Sequence, residues 1–256
     1  MQYETPNFAT EDNLKNFISY LNGVIDLDKI AKKFPETEKI ADYLIENLLV
    51  IELKTLKSNP ENKVIGFAQN EMDKINQAEG FPVFYGKHNF RNIAQTLPDG
   101  EKLENKIDNL YFRQIEGVMK KANDQIKSTI VNLDMIPHSY GVLIIINEKA
   151  DFYQPEVLAG YICRELLRIN REGNPRYLNI HQVAFIQSSY KVNSNDGTTL
   201  IPCHFIKNSL LDDTELSQKA EDVMRFFWSE FARFVGVGNF HIENPTDLPT
   251  TDLIKK

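Results

Sequence analysis

The chain has 256 residues, of which 42% are hydrophobic, and a formal net charge of -7 at pH 7. This length and composition can bury the core of one elaborated domain, and the negative balance argues against a broad, charge-driven coat on nucleic acid. The longest apolar run, Val142 to Ile146, is too short to span a bilayer, and residues 1–10 lack a signal-peptide pattern. We therefore expect a cytoplasmic protein without a membrane partner.

The first predicted element is an amphipathic helix over residues 10–22. Thr10 can cap this helix, and the apolar residues that follow recur at helical spacing, namely Leu14, Phe17, Ile18 and Leu21. Glu11 and Asp12 suit the first turn, where a solvated pair of charges is favoured over a role in a site. A short helix is expected over residues 26–33, before Pro35 breaks the pattern.

Two strands joined by a turn are predicted over residues 39–55. Apolar, β-favouring residues flank positions 46 and 47, as is typical of a hairpin. The register depends on the loop, because two residues would pair Asp42 with Ile51, whereas three residues would pair Asp42 with Glu52. Only the second register, or a bulge, brings the two carboxylates together.

Residues 57–105 are predicted to form an insertion, because periodicity is poor there and turn signals are frequent. Its aromatic and basic residues could stack on bases and contact phosphate, although anchoring of the insertion to the core is the favoured interpretation. These residues are Phe81, Phe84, Tyr85, Lys87, His88, Phe90 and Arg91.

A long helix is predicted over residues 103–133. Lys121 and Gln125 fall in a polar stripe beside its apolar face, where they could contact phosphate or, as the alternative, form a solvated row. A buried parallel strand over residues 141–147 follows this helix.

The remaining predicted elements are a helix over residues 151–174, strands over 179–187 and 198–206, and a helix over 213–235. Phe226 and Trp228 fall off the apolar face of that last helix, so its aromatic surface could pack in the core or contact a second copy. Hairpins combined with β-α-β crossovers predict an α/β sheet flanked by helices. Residues 241–256 are predicted to form a flexible tail.

Asp42, Glu52 and Lys54 have the chemistry for metal-assisted cleavage of a phosphodiester. Mg²⁺ binds one or two carboxylates together with waters and phosphate oxygens, and Asp42 and Glu52 could supply those carboxylates, with the Leu53 carbonyl as a further ligand. The ion would stabilise the charged transition state and lower the pKa of a water molecule, which Lys54 could orient. A similar acid-any-lysine triplet at residues 104–106 lacks a strand pattern. The strand pattern around residues 52–54, rather than the triplet alone, therefore supports the prediction of a site.

That context resembles the PD-(D/E)xK nuclease superfamily, which has the restriction-endonuclease-like fold. The resembling segments are Pro35, Asp42 within residues 40–45, Glu52-Leu53-Lys54 within residues 50–55, and residues 121–126, which are similar to a helix carrying a Lys/Gln pair. Three features depart from the superfamily pattern: no proline directly precedes Asp42, about fifty residues separate the Glu52 strand from that helix, and an acid on the first helix is not identifiable.

The resemblance implies one nuclease-like domain over residues 1–240, with a restriction-endonuclease-like mixed sheet whose core covers about residues 10–147. Extra C-terminal strands and a helix follow that core. It also implies a Mg²⁺- or Mn²⁺-dependent nuclease, with metal ligands Asp42, Glu52 and Leu53 and catalytic residues Asp42, Glu52, Lys54, Lys121 and Gln125. DNA is the commonest substrate of the superfamily, defence or mobile-element biology is a familiar setting, and a homodimer is a further possibility.

Two alternatives stay open. The chain could be a catalytically inactive nuclease-like module that binds nucleic acid or a protein partner, or an α/β structural protein whose hairpin charges are solvated. The sequence contains no Walker-type phosphate loop, dinucleotide fingerprint or zinc-ligand spacing. Cys163 and Cys203 are expected to be free buried thiols, although the sequence leaves a disulfide open.

Overall fold

The computed structural model describes residues 10–33, 39–57, 66–67, 69–70, 73–74, 100–135, 138–149, 154–189, 192–193, 199–211 and 214–235. The chain divides into two compact units, one formed by residues 1–57 and 118–256 and the other by residues 58–117. The aromatic and basic residues predicted at positions 81–91, and the tail over 241–256, lie outside the described residues.

The larger unit contains a six-stranded mixed sheet flanked by helices, as the α/β prediction required. Its strands are β1 (Val24–Asp26), β2 (Tyr43–Ile45), β3 (Leu49–Leu56), β4 (Tyr140–Asn147), β5 (Gln182–Ile186) and β8 (Cys203–Lys207), in that spatial order. The neighbours β3, β4 and β5 are parallel, and the other pairs are antiparallel. Two short strands, β6 (Val192–Asn193) and β7 (Thr199–Leu200), pair separately.

Within the described residues, the α-helices with complete bounds are α1 (Glu11–Tyr20), α2 (Gly100–Asn132), α3 (Pro155–Leu166) and α4 (Thr214–Phe234). A 3₁₀ helix follows β1 over Leu27–Lys33, and another covers Ser209–Leu211. The Thr10 cap is confirmed, because its hydroxyl accepts the Asn13 N–H at 3.2 Å. None of the helices that the structure describes is both long and apolar enough to cross a membrane.

One face of the sheet packs against α1 and α4. Alternate residues of β3 and β4 face this core. The ring centroid of Phe17 on α1 lies 5.3 Å from the ring centroids of both Phe227 and Phe231 on α4. Trp228 was predicted to lie off the apolar face of α4, but it is buried against Phe205 of β8. The sheet is therefore continued and covered by residues beyond position 147.

Helix α2 packs against the opposite face. Gly141 of β4 permits this approach, because a Cβ atom there would lie 2.8 Å from Ile126 of α2 and 1.9 Å from the Asn179 carbonyl oxygen. Successive side chains of a strand point to opposite faces of the sheet. Since Ile51 and Leu53 of β3 face α1 and α4, Glu52 points to the side on which α2 lies.

Three further predictions needed correction. The helix expected over 151–174 ends at Leu166, because the chain then turns at Asn170 and at Gly173, whose φ is 84°. The strand expected over 198–206 is divided into β7 and β8, since Pro202 has no N–H for a ladder. Both cysteines are free, but neither is fully buried as expected, because Cys163 is exposed and Cys203 is partly exposed.

Candidate active site

A three-residue loop sets the register of the β2–β3 hairpin. Residues 46–48 form the turn, with positive φ at Glu46 (52°) and Asn47 (50°), and the Leu48 N–H donates to the Ile45 carbonyl at 2.9 Å. Asp42 was predicted to lie on the first strand, but it directly precedes β2, and the ladder pairs Tyr43 with Ile51 and Ile45 with Leu49. This is the register that the three-residue loop predicted.

Backbone and side-chain hydrogen bonds hold Asp42 at the entrance to β2. Its N–H donates to the Ile51 carbonyl at 3.1 Å, and its carboxylate accepts the Leu53 N–H at 2.7 Å. Its own carbonyl accepts the Leu27 N–H at 2.9 Å, which ties the 3₁₀ helix to the site. Because the N–H and carbonyl of a strand residue point to the same edge, the Leu53 carbonyl also faces the side on which Asp42 lies.

Glu52 is a fully buried carboxylate with incomplete pairing. The side chain is 0% exposed, and its Oε1 forms an ion pair with the Lys54 ammonium. Oε2 has no hydrogen-bond partner among the residues that the structure describes. Burial, and then the nearby charge of Asp42, raise the pKa of Glu52 to about 8, although Lys54 opposes this shift. An ionised Glu52 therefore lacks enough positive charge around it.

The pKa of Asp42 is also raised, mainly by burial. The Leu53 N–H and the charge of Lys54 act in the opposite direction. The exposed Asp28, next to Leu27 on the 3₁₀ helix, raises the pKa values of both Asp42 and Glu52 further. Two coupled carboxylates and a third acid thus concentrate negative charge at one end of the hairpin.

Helix α2 holds the backbone that leads into Asp42. The Gln125 side-chain amide donates to the Ile40 carbonyl at 2.9 Å, and the buried Thr129 hydroxyl accepts the Ala41 N–H at 2.7 Å. The same hydroxyl donates to the Gln125 carbonyl at 3.0 Å. Gln125 therefore positions the segment before Asp42. Thr129 was not predicted, and the only sequence signal for it was a threonine within the apolar stripe of α2.

The structure does not join Lys121 to the two carboxylates. Its side chain is exposed on α2, and it makes no polar contact within the described part of the chain. Its predicted role as a phosphate contact stays a prediction.

Glu11 occupies the first turn of α1 as predicted, but lysines surround it. It pairs with Lys15 at 2.6 Å and with Lys57 at 2.7 Å, and these ammonium groups lower the pKa of Glu11 to about 2. Its backbone N–H donates to the Glu148 carboxylate at 3.0 Å. Since its charge is already compensated, Glu11 differs from Glu52.

The donor set available to a metal is small. Among the described residues, no group of three or more His, Cys, Asp or Glu side chains could hold an ion. The protein would supply two carboxylates, so solvent, substrate or backbone oxygens would have to complete the coordination shell, as Mg²⁺ tolerates. Comparison of the chain with models of protein families, with curated proteins and with solved structures finds no match.

Proposed function

We propose that this protein is a metal-dependent phosphodiesterase, a nuclease of the PD-(D/E)xK type with a restriction-endonuclease-like sheet, which acts on DNA with Mg²⁺ or Mn²⁺. One observation carries the proposal: Glu52 is completely buried beside a second carboxylate, and one of its oxygens has no partner among the described residues. A buried acid in this state is costly unless a proton or a cation joins it.

A hard divalent cation suits these residues. Glu52 on β3 and Asp42, just before β2, offer oxygen ligands, and the Leu53 carbonyl faces the same side as Asp42. A bound cation would compensate the charges that now raise both carboxyl pKa values, and it would allow Glu52 to ionise near neutral pH. Mg²⁺ commonly binds through one or two carboxylates plus phosphate oxygens, so two protein carboxylates are sufficient.

Each residue then has a distinct role. The ion, when bound, would supply charge for the phosphoryl transition state and acidify water. Asp42 and Glu52 would hold it, and Lys54, whose side chain is 26% exposed, can orient water or neutralise charge beside the scissile phosphate. Gln125 and Thr129 fix the backbone before Asp42, and Lys121 is proposed to contact phosphate from α2.

A cleavage assay with matched variants tests the proposal. Supercoiled, linear and single-stranded DNA, and RNA, are incubated with excess protein and either Mg²⁺ or Mn²⁺. We expect cleavage by the wild type, with losses of at least about 100-fold in Asp42→Asn, Glu52→Gln and Lys54→Ala, because each removes charge that acts on the transition state. Glu46→Gln, on the exposed turn of the same hairpin, is the control and should retain activity.

Calorimetry with Mn²⁺ separates catalysis from metal binding. Heat of binding that disappears in the Asp42→Asn, Glu52→Gln double variant would support a metal at the hairpin. Binding without cleavage of any substrate would instead favour an inactive nuclease-like module. Equal cleavage by Glu52→Gln and wild type would overturn the proposal.

A further inference from the structure

Arginines are concentrated in one short stretch of this acidic chain. Four of its eight arginines lie within residues 164–176, at positions 164, 168, 171 and 176, whereas none of its 21 lysines lies there. The guanidinium group is planar, always charged and weakly hydrated, so it suits bidentate contacts with phosphate. A cluster that uses arginine alone, in a chain that otherwise prefers lysine, indicates a demand for that geometry.

We name residues 168–176 the arginine loop, and its backbone is well constrained. The Arg176 N–H donates to the Arg168 carbonyl at 2.8 Å, and the Asn170 N–H donates to the Asn174 carbonyl at 2.8 Å. The Asn170 side-chain oxygen accepts the N–H groups of Glu172 (2.9 Å) and Asn174 (3.0 Å). The loop is therefore an ordered platform for its side chains.

A buried carboxylate orients two of the four guanidinium groups. Glu165 of α3 is 0% exposed and lies 3.1 Å from Arg168 and 3.2 Å from Arg176. Burying a charge is costly, and here it fixes the two arginines where the loop begins and ends. Both remain partly exposed, at 49% and 32% of their side-chain surface.

The tip of the loop presents a free guanidinium and an apolar side chain. Arg171 is exposed and forms no hydrogen bond or ion pair with a described residue, and Ile169 is 59% exposed. Leu167 and Leu178 on either side are also exposed, at 45% and 52%. A positive group next to apolar surface matches a nucleic acid, which offers phosphates beside sugars and bases.

The loop connects to the candidate active site through α2. Asn179, three residues after Arg176, donates its N–H to the Asn123 side chain at 3.0 Å. Two residues further along α2, Gln125 holds Ile40 near Asp42. One helix thus supports both the catalytic segment and the segment that follows the loop.

We propose that the arginine loop is a docking surface for the phosphate backbone of nucleic acid, with Arg171 in direct contact. The choice of nucleic acid over another polyanion rests on the proposed function. Residues 164–176 carry four arginines and two glutamates, Glu165 and Glu172, so this stretch has a net charge of 4 - 2 = +2 in a chain whose net charge is negative, and it can attract phosphate.

Binding of a fluorescent DNA duplex by the whole chain, measured in EDTA to exclude cleavage, tests this inference. Dissociation constants are measured from about 50 to 200 mM salt for wild type, Arg171→Ala and the control Arg225→Ala, which removes an exposed arginine from α4. We expect Arg171→Ala to weaken binding about 3- to 10-fold and to reduce the slope of log K against log salt by about 1, as for one lost phosphate contact. Arg225→Ala should match the wild type.

The outcomes separate this inference from the proposed function. Three results would each overturn the docking surface: undetectable DNA binding, an unchanged DNA affinity in Arg171→Ala, or an equal loss of affinity in Arg225→Ala. An unchanged affinity would favour a protein partner for the loop instead. DNA binding that depends on Arg171, in a protein that cleaves nothing with Mg²⁺ or Mn²⁺, would refute the nuclease while leaving the docking surface intact. Cleavage of DNA by the wild type, together with a DNA affinity that Arg171→Ala leaves unchanged, would support the nuclease and refute the docking surface.

Discussion

Among the glutamates that the structure describes, Glu52 and Glu165 are completely buried, but their surroundings differ. Glu165 on α3 faces two arginines, which lie 3.1 and 3.2 Å from its oxygens. Glu52 on β3 has one lysine, an Oε2 atom without a partner among the described residues, and the nearby charge of Asp42, which raises its pKa. Two guanidinium groups thus face one buried charge and a single ammonium group faces the other, although the Oε1 atom of each glutamate accepts no hydrogen bond from a described residue.

This difference separates a structural acid from a candidate functional one. A buried carboxylate with two guanidinium partners holds a loop, and its charge is balanced by groups of the chain itself. A buried carboxylate that another acid destabilises gains most from a proton or a cation, which the rest of the chain does not provide. The same substitution, glutamate to glutamine, should consequently have opposite effects on stability at the two positions.

The largest change in stability is expected at Glu165. Glu165→Gln removes the charge that faces Arg168 and Arg176, and we expect it to lower the free energy of unfolding by about 2–3 kcal/mol. This is below the cost for a wholly buried pair, because both arginines reach solvent. Urea denaturation at pH 7 measures it. Glu172→Gln, exposed on the same loop, should change stability by less than about 0.5 kcal/mol, and an equally small effect at Glu165 would break the comparison.

Glu52→Gln should stabilise the protein at alkaline pH. The pKa of Glu52 is raised from 4.5 to about 8 in the folded chain, so the native state binds the extra proton between these values and its stability falls as pH rises through that window. The variant lacks this titration. We expect equal stabilities near pH 5 and an advantage of the variant on the order of 2 kcal/mol above pH 8, in urea titrations without divalent metal.

If the difference in unfolding free energy between Glu52→Gln and wild type does not increase with pH, the pKa of Glu52 is not raised in the folded chain. Glu46→Gln, on the exposed turn of the hairpin, provides the reference and should follow the wild-type curve throughout. Addition of Mn²⁺ at pH 8 should raise the stability of wild type but not of Glu52→Gln, since only the native carboxylate pair would bind the ion.

Local signals were sufficient for much of the hairpin and its neighbours. The capping threonine of α1, the β-branched run of β4 and the three-residue loop at positions 46–48 are all short-range patterns, and the last of these sets the register in which Tyr43 pairs with Ile51. Strand β1 was missed, because three residues between Gly23 and the 3₁₀ helix are too few to show alternation.

Contacts between distant positions could not be predicted from the sequence. Thr129 and Ala41 are 88 positions apart, and nothing near either residue indicates the other. Neither the burial of Glu165 nor its two arginines follows from the helical pattern, which placed this segment in a longer helix. The sequence therefore indicated the acids at the hairpin. It did not indicate that Glu52 has too little positive charge around it, or which groups position Asp42.

The smallest of these effects should come from Thr129, which acts on Asp42 through the backbone. Thr129→Val keeps the side-chain shape but leaves the buried Ala41 N–H without an acceptor, so we expect a loss of about 1–2 kcal/mol in the free energy of unfolding. Thr129→Ser keeps the hydroxyl and serves as the control. Because loss of a methyl group alone can cost about 0.8 kcal/mol, stability does not separate the two variants.

Hydrogen exchange at the Ala41 amide does separate them. Protection should fall in Thr129→Val and persist in Thr129→Ser, and the affinity for Mn²⁺ should follow the same order if the segment before Asp42 must be fixed for the carboxylate pair to bind metal. Loss of Ala41 protection with unchanged Mn²⁺ affinity would mean that the Leu53 and Ile51 hydrogen bonds alone position Asp42, and that α2 contributes only to stability.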